Sequence, residues 1–170
     1  MMDNARKFYE PLVRAEEVLP ILDKISLFGG LSETHCHTVF QYLQKVHYSP
    51  QEVIFHQGDH PSYIYIVLKG KVRLFFENNE TAFPTIEFGP GACFGETSVI
   101  GIQSHSVTSM AVEDTLLVVL PREALMEIYE NDKELFGLLM LNVAREASRR
   151  LHQTDKMLLN HLQHHEMSEV

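Results

Sequence analysis

The chain has 170 residues, 23 acidic against 14 basic side chains, and a formal net charge of −9. That length suits one domain with an added element or two, and that charge argues against a free-standing nucleic-acid binder, whose affinity rests largely on basic side chains at phosphates. Cys36 and Cys93 lie far apart and form no disulfide framework; with no apolar leader and no membrane-length window, the chain reads as soluble and cytoplasmic, with reduced thiols.

Residues 5–19 predict a helix, because Phe8, Leu12, Ala15 and Leu19 recur at three or four residues. Gly29-Gly30 breaks the chain. Ser32 is a good N-cap, though no Glu follows at the boxing position, and Val39, Phe40, Leu43 and Val46 continue a helical stripe to about residue 47. The character then changes. "EVIFHQGD", "SYIYIVLKGKVRLFFENNE", "TAFPTIEFGPGACFG" and "HSVTSMAVEDTLLVVLP" are short β-branched and aromatic runs. Turn residues punctuate them at roughly eight to twelve positions, which predicts an all-β sandwich, jelly roll or barrel. Lys69-Gly70-Lys71 reads as a turn between strands and Glu77–Glu80 as a hairpin tip.

After Pro121 the helical period returns. "REALMEIYEND" is a short helix, and 132–165 reads as one long helix without Pro. Its first part is apolar nearly all round; its second keeps a narrow stripe of Ala144, Ala147, Leu151, Thr154, Leu158 and Leu162. About 30 helical residues span roughly 45 Å, more than a small roll covers, so the distal half is expected to pair with a second copy in a homodimer.

Residues 88–108 hold a Gly-Pro-Gly turn, a lone Glu, a short small-residue segment and hydroxyls around one His, with no Lys or Arg. "FGPGACFGE" resembles the phosphate-binding cassette of the cyclic nucleotide-binding domain family, and residues 20–76 are similar to that family's entry helix and first hairpins, with Gly58 and Gly70 at the usual turns. The resemblance covers roughly residues 20–160. It implies a mainly β fold with flanking helices: a β jelly roll (double-stranded β-helix) with N-terminal helices and a long C-terminal helix. The whole of 1–170 is then a single domain, with N-terminal helices over 1–47, the roll over 48–121 with its cassette at 89–108, and C-terminal helices over 122–165.

In such proteins the cassette Glu binds the ribose 2′-OH, which implies that role for Glu96, and backbone N–H groups at the positions of Gly95, Thr97 and Ser98 meet the cyclic phosphate. A tight Gly turn opening a short helix does leave orphan N–H donors aimed at one point. The family then places an Arg nine positions after the Glu; here that position is His105, followed by Ser106. An imidazole is shorter than a guanidinium, offers one bond instead of a fork, and is mostly neutral at pH 7.5 unless an anion raises its pKa. The exchange should weaken nucleotide binding roughly ten- to hundred-fold.

Two readings follow. The chain is a cAMP or cGMP sensor that uses Glu96, the cassette amides, Ser106 and protonated His105, and signals through its C-terminal helix to a partner protein; or it keeps the fold, has lost the nucleotide and acts as a dimeric interaction module. With no helix-turn-helix segment after the long helix, direct DNA binding is not expected, nor is membrane association. Ser106 does not choose between cAMP and cGMP.

Other chemistry fits poorly. His35-x-His37 resembles half of a cupin metal motif, but on a helix the two rings stand about 200° apart, and Gln41 takes the place of the carboxylate. His161 and His165 read as a solvated helix face, and Cys93 as a buried filler. No nucleophile elbow, P-loop or dinucleotide fingerprint is present. No enzyme activity, metal or cofactor is expected.

Overall fold

The computed structural model describes residues 7–12, 15–76 and 86–168, with side chains through residue 159. The expected hairpin tip at 77–80 lies outside the described residues. In chain order the elements are β1 (Glu10–Pro11), three short 3-10 segments (Ala15–Glu17, Leu19–Lys24 and Ser26–Phe28), α1 (Glu33–Phe40), β2 (Gln44–Tyr48), β3 (Val53–Phe55), β4 (Tyr63–Lys69), β5 (Val72–Phe75), β6 (Ile86–Phe88), β7 (Cys93–Phe94), α2 (Glu96–Gly101), β8 (Thr108–Ala111), β9 (Thr115–Pro121), α3 (Arg122–Asn131) and α4 (Lys133–Ser168).

Two antiparallel sheets face each other, in the orders β1-β2-β9-β4-β7 and β3-β8-β5-β6. This is the expected jelly roll with a long C-terminal helix. Strands β4 and β9 form its spine, paired from Tyr63↔Pro121 to Lys69↔Leu116. Both their faces are buried, which is why they read as unbroken apolar runs. Tyr65, Val67, Leu117 and Val119 point between the sheets. Ile64, Ile66, Val118 and Leu120 point outward, into a second core with α1, α3 and α4. Each such aliphatic side chain contributes about 1.5–3 kcal/mol by leaving water.

The Lys69–Lys71 turn carries the chain from one sheet to the other. Gly70 has φ +88°, and a Cβ there would lie 2.6 Å from the Asp114 carbonyl oxygen, so the crossing needs glycine.

Two N-terminal expectations are corrected. The helix expected over 5–19 is absent from its described residues, 7–12 and 15–19. Glu10 and Pro11 pair with β2, and 3-10 turns follow, with Pro20 in the first turn of one. Phe8 and Leu19 are exposed, so the three-four spacing marks no buried stripe. The next helix ends at Phe40, not near 47. Gln44–Tyr48 is a strand on β9, with Val46 and Tyr48 buried and His47 exposed, a period of two that the preceding helical stripe concealed. The sheet therefore begins before residue 48. The Ser32 cap is present, its hydroxyl accepting from the His35 N–H at 3.2 Å.

Helix α4 is docked along its first part by Leu135, Leu139 and Val143. Buried Asn142 donates to the carbonyls of Leu27 (3.0 Å) and Gly29 (2.8 Å), stitching α4 to the entry turns. From Leu151 to Leu159 every residue is exposed.

Candidate functional site

The cassette hangs from β4. Phe94 and Cys93 of β7 sit opposite Tyr65 and Ile66, and the Gly91 N–H donates to the Val67 carbonyl at 2.8 Å. The chain then turns through Gly95, at φ +81°, into α2. A Cβ on Gly95 would meet the Tyr63 carbonyl oxygen and the Tyr65 ring, each at 3.1 Å. The first N–H groups of α2 have no side-chain cap. Gly95, Glu96, Thr97 and Ser98 form this turn and the start of α2. Thr97 is exposed, Ser98 is buried, and Glu96 is 1% exposed.

Glu96 is where the electrostatics concentrate. Its Oε1 accepts from Arg150 Nη1 of α4 at 2.7 Å. Its Oε2 is buried without a hydrogen-bond partner among the described residues. Burial pushes the carboxyl above its ordinary range, against the pull of the guanidinium. Each nitrogen of the Arg150 guanidinium donates one hydrogen bond. Its Nη2 donates to the Cys93 carbonyl, its Nε to Glu146 Oε1 at 3.2 Å, and its Cζ lies 4.9 Å from the centroid of the Phe88 ring. The cation missing from the cassette sequence therefore arrives from α4, 54 positions away.

His105 lies between α2 and β8. Its ring is stacked on Phe55, centroids 3.7 Å apart at 10°, and the residue is 4% exposed. Its backbone exchanges bonds with the 58–59 turn: Gly58 N–H to the His105 carbonyl (2.8 Å) and His105 N–H to the Asp59 carbonyl (3.0 Å). Burial lowers the imidazole pKa and Asp59 opposes it, in line with the mostly neutral ring expected before an anion binds. Among the described residues the ring makes no hydrogen bond to Gly95–Ser98. Ser106 is exposed beside it. Phe55, Tyr65, Phe94 and Phe88 continue the ring cluster from His105 toward Arg150, with Tyr65 stacked on Phe94 at 5.0 Å.

Known proteins place this geometry. The model of the cyclic nucleotide-binding domain matches residues 45–132. The chain belongs to the cyclic nucleotide-binding domain family. It is 35% identical over 130 residues to the cyclic AMP receptor protein of Thermus thermophilus, covering 76% of this chain and 58% of that one. It is 33% identical over 96 residues to the cAMP-dependent protein kinase regulatory subunit of Eremothecium gossypii, covering 56% of this chain and 20% of that one. Among solved structures, a cyclic nucleotide-binding domain from Methylobacillus flagellatus superposes with a TM-score of 0.77 at 25% identity, covering 90% of this chain and 86% of that one. The chain thus spans little more than half the length of the Thermus relative.

Reading the sequence missed Arg150. One signal pointed to it: a carboxylate buried in the cassette needs a cation, and residues 145–150 hold three arginines. Cys93 is the buried filler expected, its thiol pushed up to about 12 by burial. His35 and His37 lie on α1, as the rejection of the cupin motif required. The side chains of His161 and His165 lie outside the described residues. Among the described residues no helix is long and apolar enough to cross a membrane, and no His, Cys, Asp and Glu side chains are grouped to hold a metal.

Proposed function

We propose that the chain is a non-enzymatic regulatory domain that takes a cyclic nucleoside monophosphate, cAMP or cGMP, in the 89–108 cassette and reports its presence through α4. The observation that carries this reading is Glu96. A buried carboxylate oxygen without a donor costs about 1–3 kcal/mol, and a ribose hydroxyl supplies the donor. Arg150 supplies the charge. It reaches the cassette from α4 in place of the Arg that the family carries in its own loop, so a cyclic phosphate at the α2 amides meets a guanidinium of the reporting helix. Occupancy of the cassette and the position of α4 are then linked.

The exposed stripe through Leu151 and Leu158 pairs α4 with a second copy, and the signal passes to a partner protein rather than to DNA. A second reading, an interaction module without nucleotide, is favoured by one observation: the residue at the family's arginine position is a buried imidazole stacked on Phe55, its pKa lowered by burial.

Isothermal titration of the wild type, Arg150→Ala and Glu96→Ala with cAMP and with cGMP tests the choice. Saturable binding by the wild type is expected, weakened about tenfold in Arg150→Ala and lost in Glu96→Ala. Tighter binding by Arg150→Ala means that the arginine excludes the ligand instead of serving it. No binding by any of the three at millimolar nucleotide establishes the interaction module.

A further inference from the structure

Outside the cassette, a second cleft of about 310 Å³ opens where α4 crosses the entry turns, lined by Ser26, Gly29, Gly30, Asn142, Arg145 and Arg149. One of its lining residues is buried. Asn142, 4% exposed, spends its amide N–H groups on the carbonyls of Leu27 and Gly29 and turns its Oδ1 to Arg145 Nη1 at 3.2 Å. The same side chain thus fixes the glycine turn and aims the guanidinium. Gly30 adopts φ +74°, has open space around the position of a Cβ, and its N–H has no hydrogen-bond partner among the described residues.

The charges are unequal. Arg149 and Arg150 share Glu146, and Arg150 also holds Glu96. Arg145 has no carboxylate partner among the described residues, although the chain carries a net charge of −9. A guanidinium presents a planar fork that suits two oxygens of a tetrahedral anion.

We propose that this cleft is an anion site for a phosphate group, free or carried on a small molecule, with Arg145 as its principal cation, Arg149 as its second, and the Gly30 N–H as a neutral donor. It is separate from the cassette and does not depend on the cassette binding nucleotide. The two are joined through Glu146, which Arg149, Arg150 and the Ser26 hydroxyl share: an anion that draws Arg149 away leaves Arg150 as its remaining cation and so acts on the Arg150–Glu96 contact.

The test is a titration of the ¹⁵N-labelled full chain with inorganic phosphate and with pyrophosphate at constant ionic strength, followed by the Gly30 amide and the arginine Nε–H signals. Saturable shifts at Gly30 and Arg145 are expected, with at least tenfold weaker binding in Arg145→Ala and in Arg145→Ala/Arg149→Ala. Arg145 is exposed, so its removal leaves the fold intact, as a matching thermal melt will show. Equal shifts with chloride, shifts that survive Arg145→Ala, or no saturation at millimolar anion would each overturn the site. Phosphate as tight as pyrophosphate identifies a single phosphate subsite; tighter pyrophosphate identifies a larger phosphorylated ligand.

Discussion

Arg150 of the C-terminal helix bonds Glu96 of the cassette at 2.7 Å, joining residues 54 positions apart, and the glutamate end of the pair is almost fully buried. This contact fixes where α4 lies over the roll and places a cation where the cassette sequence has none.

Removing one partner of such a pair is costly, because the other stays desolvated. Arg150→Met should destabilise the domain by about 2 kcal/mol, a value held down because the arginine side chain is itself 25% exposed. Arg150→Met combined with Glu96→Gln should recover much of that loss. Urea denaturation of the four proteins of this cycle measures the coupling; additive losses mean that the two side chains do not interact in solution.

His105 should make the fold acid-sensitive. Its folded pKa lies below the ordinary imidazole value of about 6.5 because burial disfavours the charged ring. Its contribution to stability is therefore complete above about 6.5 and is lost as pH falls from there through the lower folded value. His105→Phe keeps a ring on Phe55 and removes the titration. Between pH 7.5 and 5.5 the urea midpoint should fall further in the wild type than in the variant. Parallel slopes would show that the ring is solvated.

Gly95→Ala should cost about 1–2 kcal/mol, since an L-residue at φ +81° is strained and its methyl meets the Tyr63 carbonyl. Nucleotide affinity should fall with it, because α2 and its first amides start from this turn. A thermal melt within one degree of the wild type contradicts the geometry.

The distal part of α4 should be the dimer contact. Leu151 is 64% exposed and Leu158 55% exposed, so Leu151→Asp/Leu158→Asp should change monomer stability by no more than about 0.5 kcal/mol while halving the mass in sedimentation. A wild type that sediments as a monomer at tens of micromolar removes the homodimer.

Local pattern determined most of the architecture. The strand runs, the Gly70 crossing, the Ser32 cap, the α3–α4 boundary and the cassette turn were legible because each depends on neighbours a few residues away, through alternation, positive φ or a capping hydroxyl. The N-terminal 3-10 turns and strand β2 were not. Their spacing fits a helix, and only pairing with β9 makes Gln44–Tyr48 extended. The site divided in the same way. Glu96 and its flanking amides are contiguous, so "FGPGACFGE" announced them. The place of His105 depends on Phe55, fifty positions earlier, and the cation at Glu96 depends on how a helix packs back across the roll. Burial and ion pairing between distant segments are properties of the packed chain. The sequence marked Glu96 as a site residue, but only the tertiary structure decided that it is buried and that its cation is Arg150.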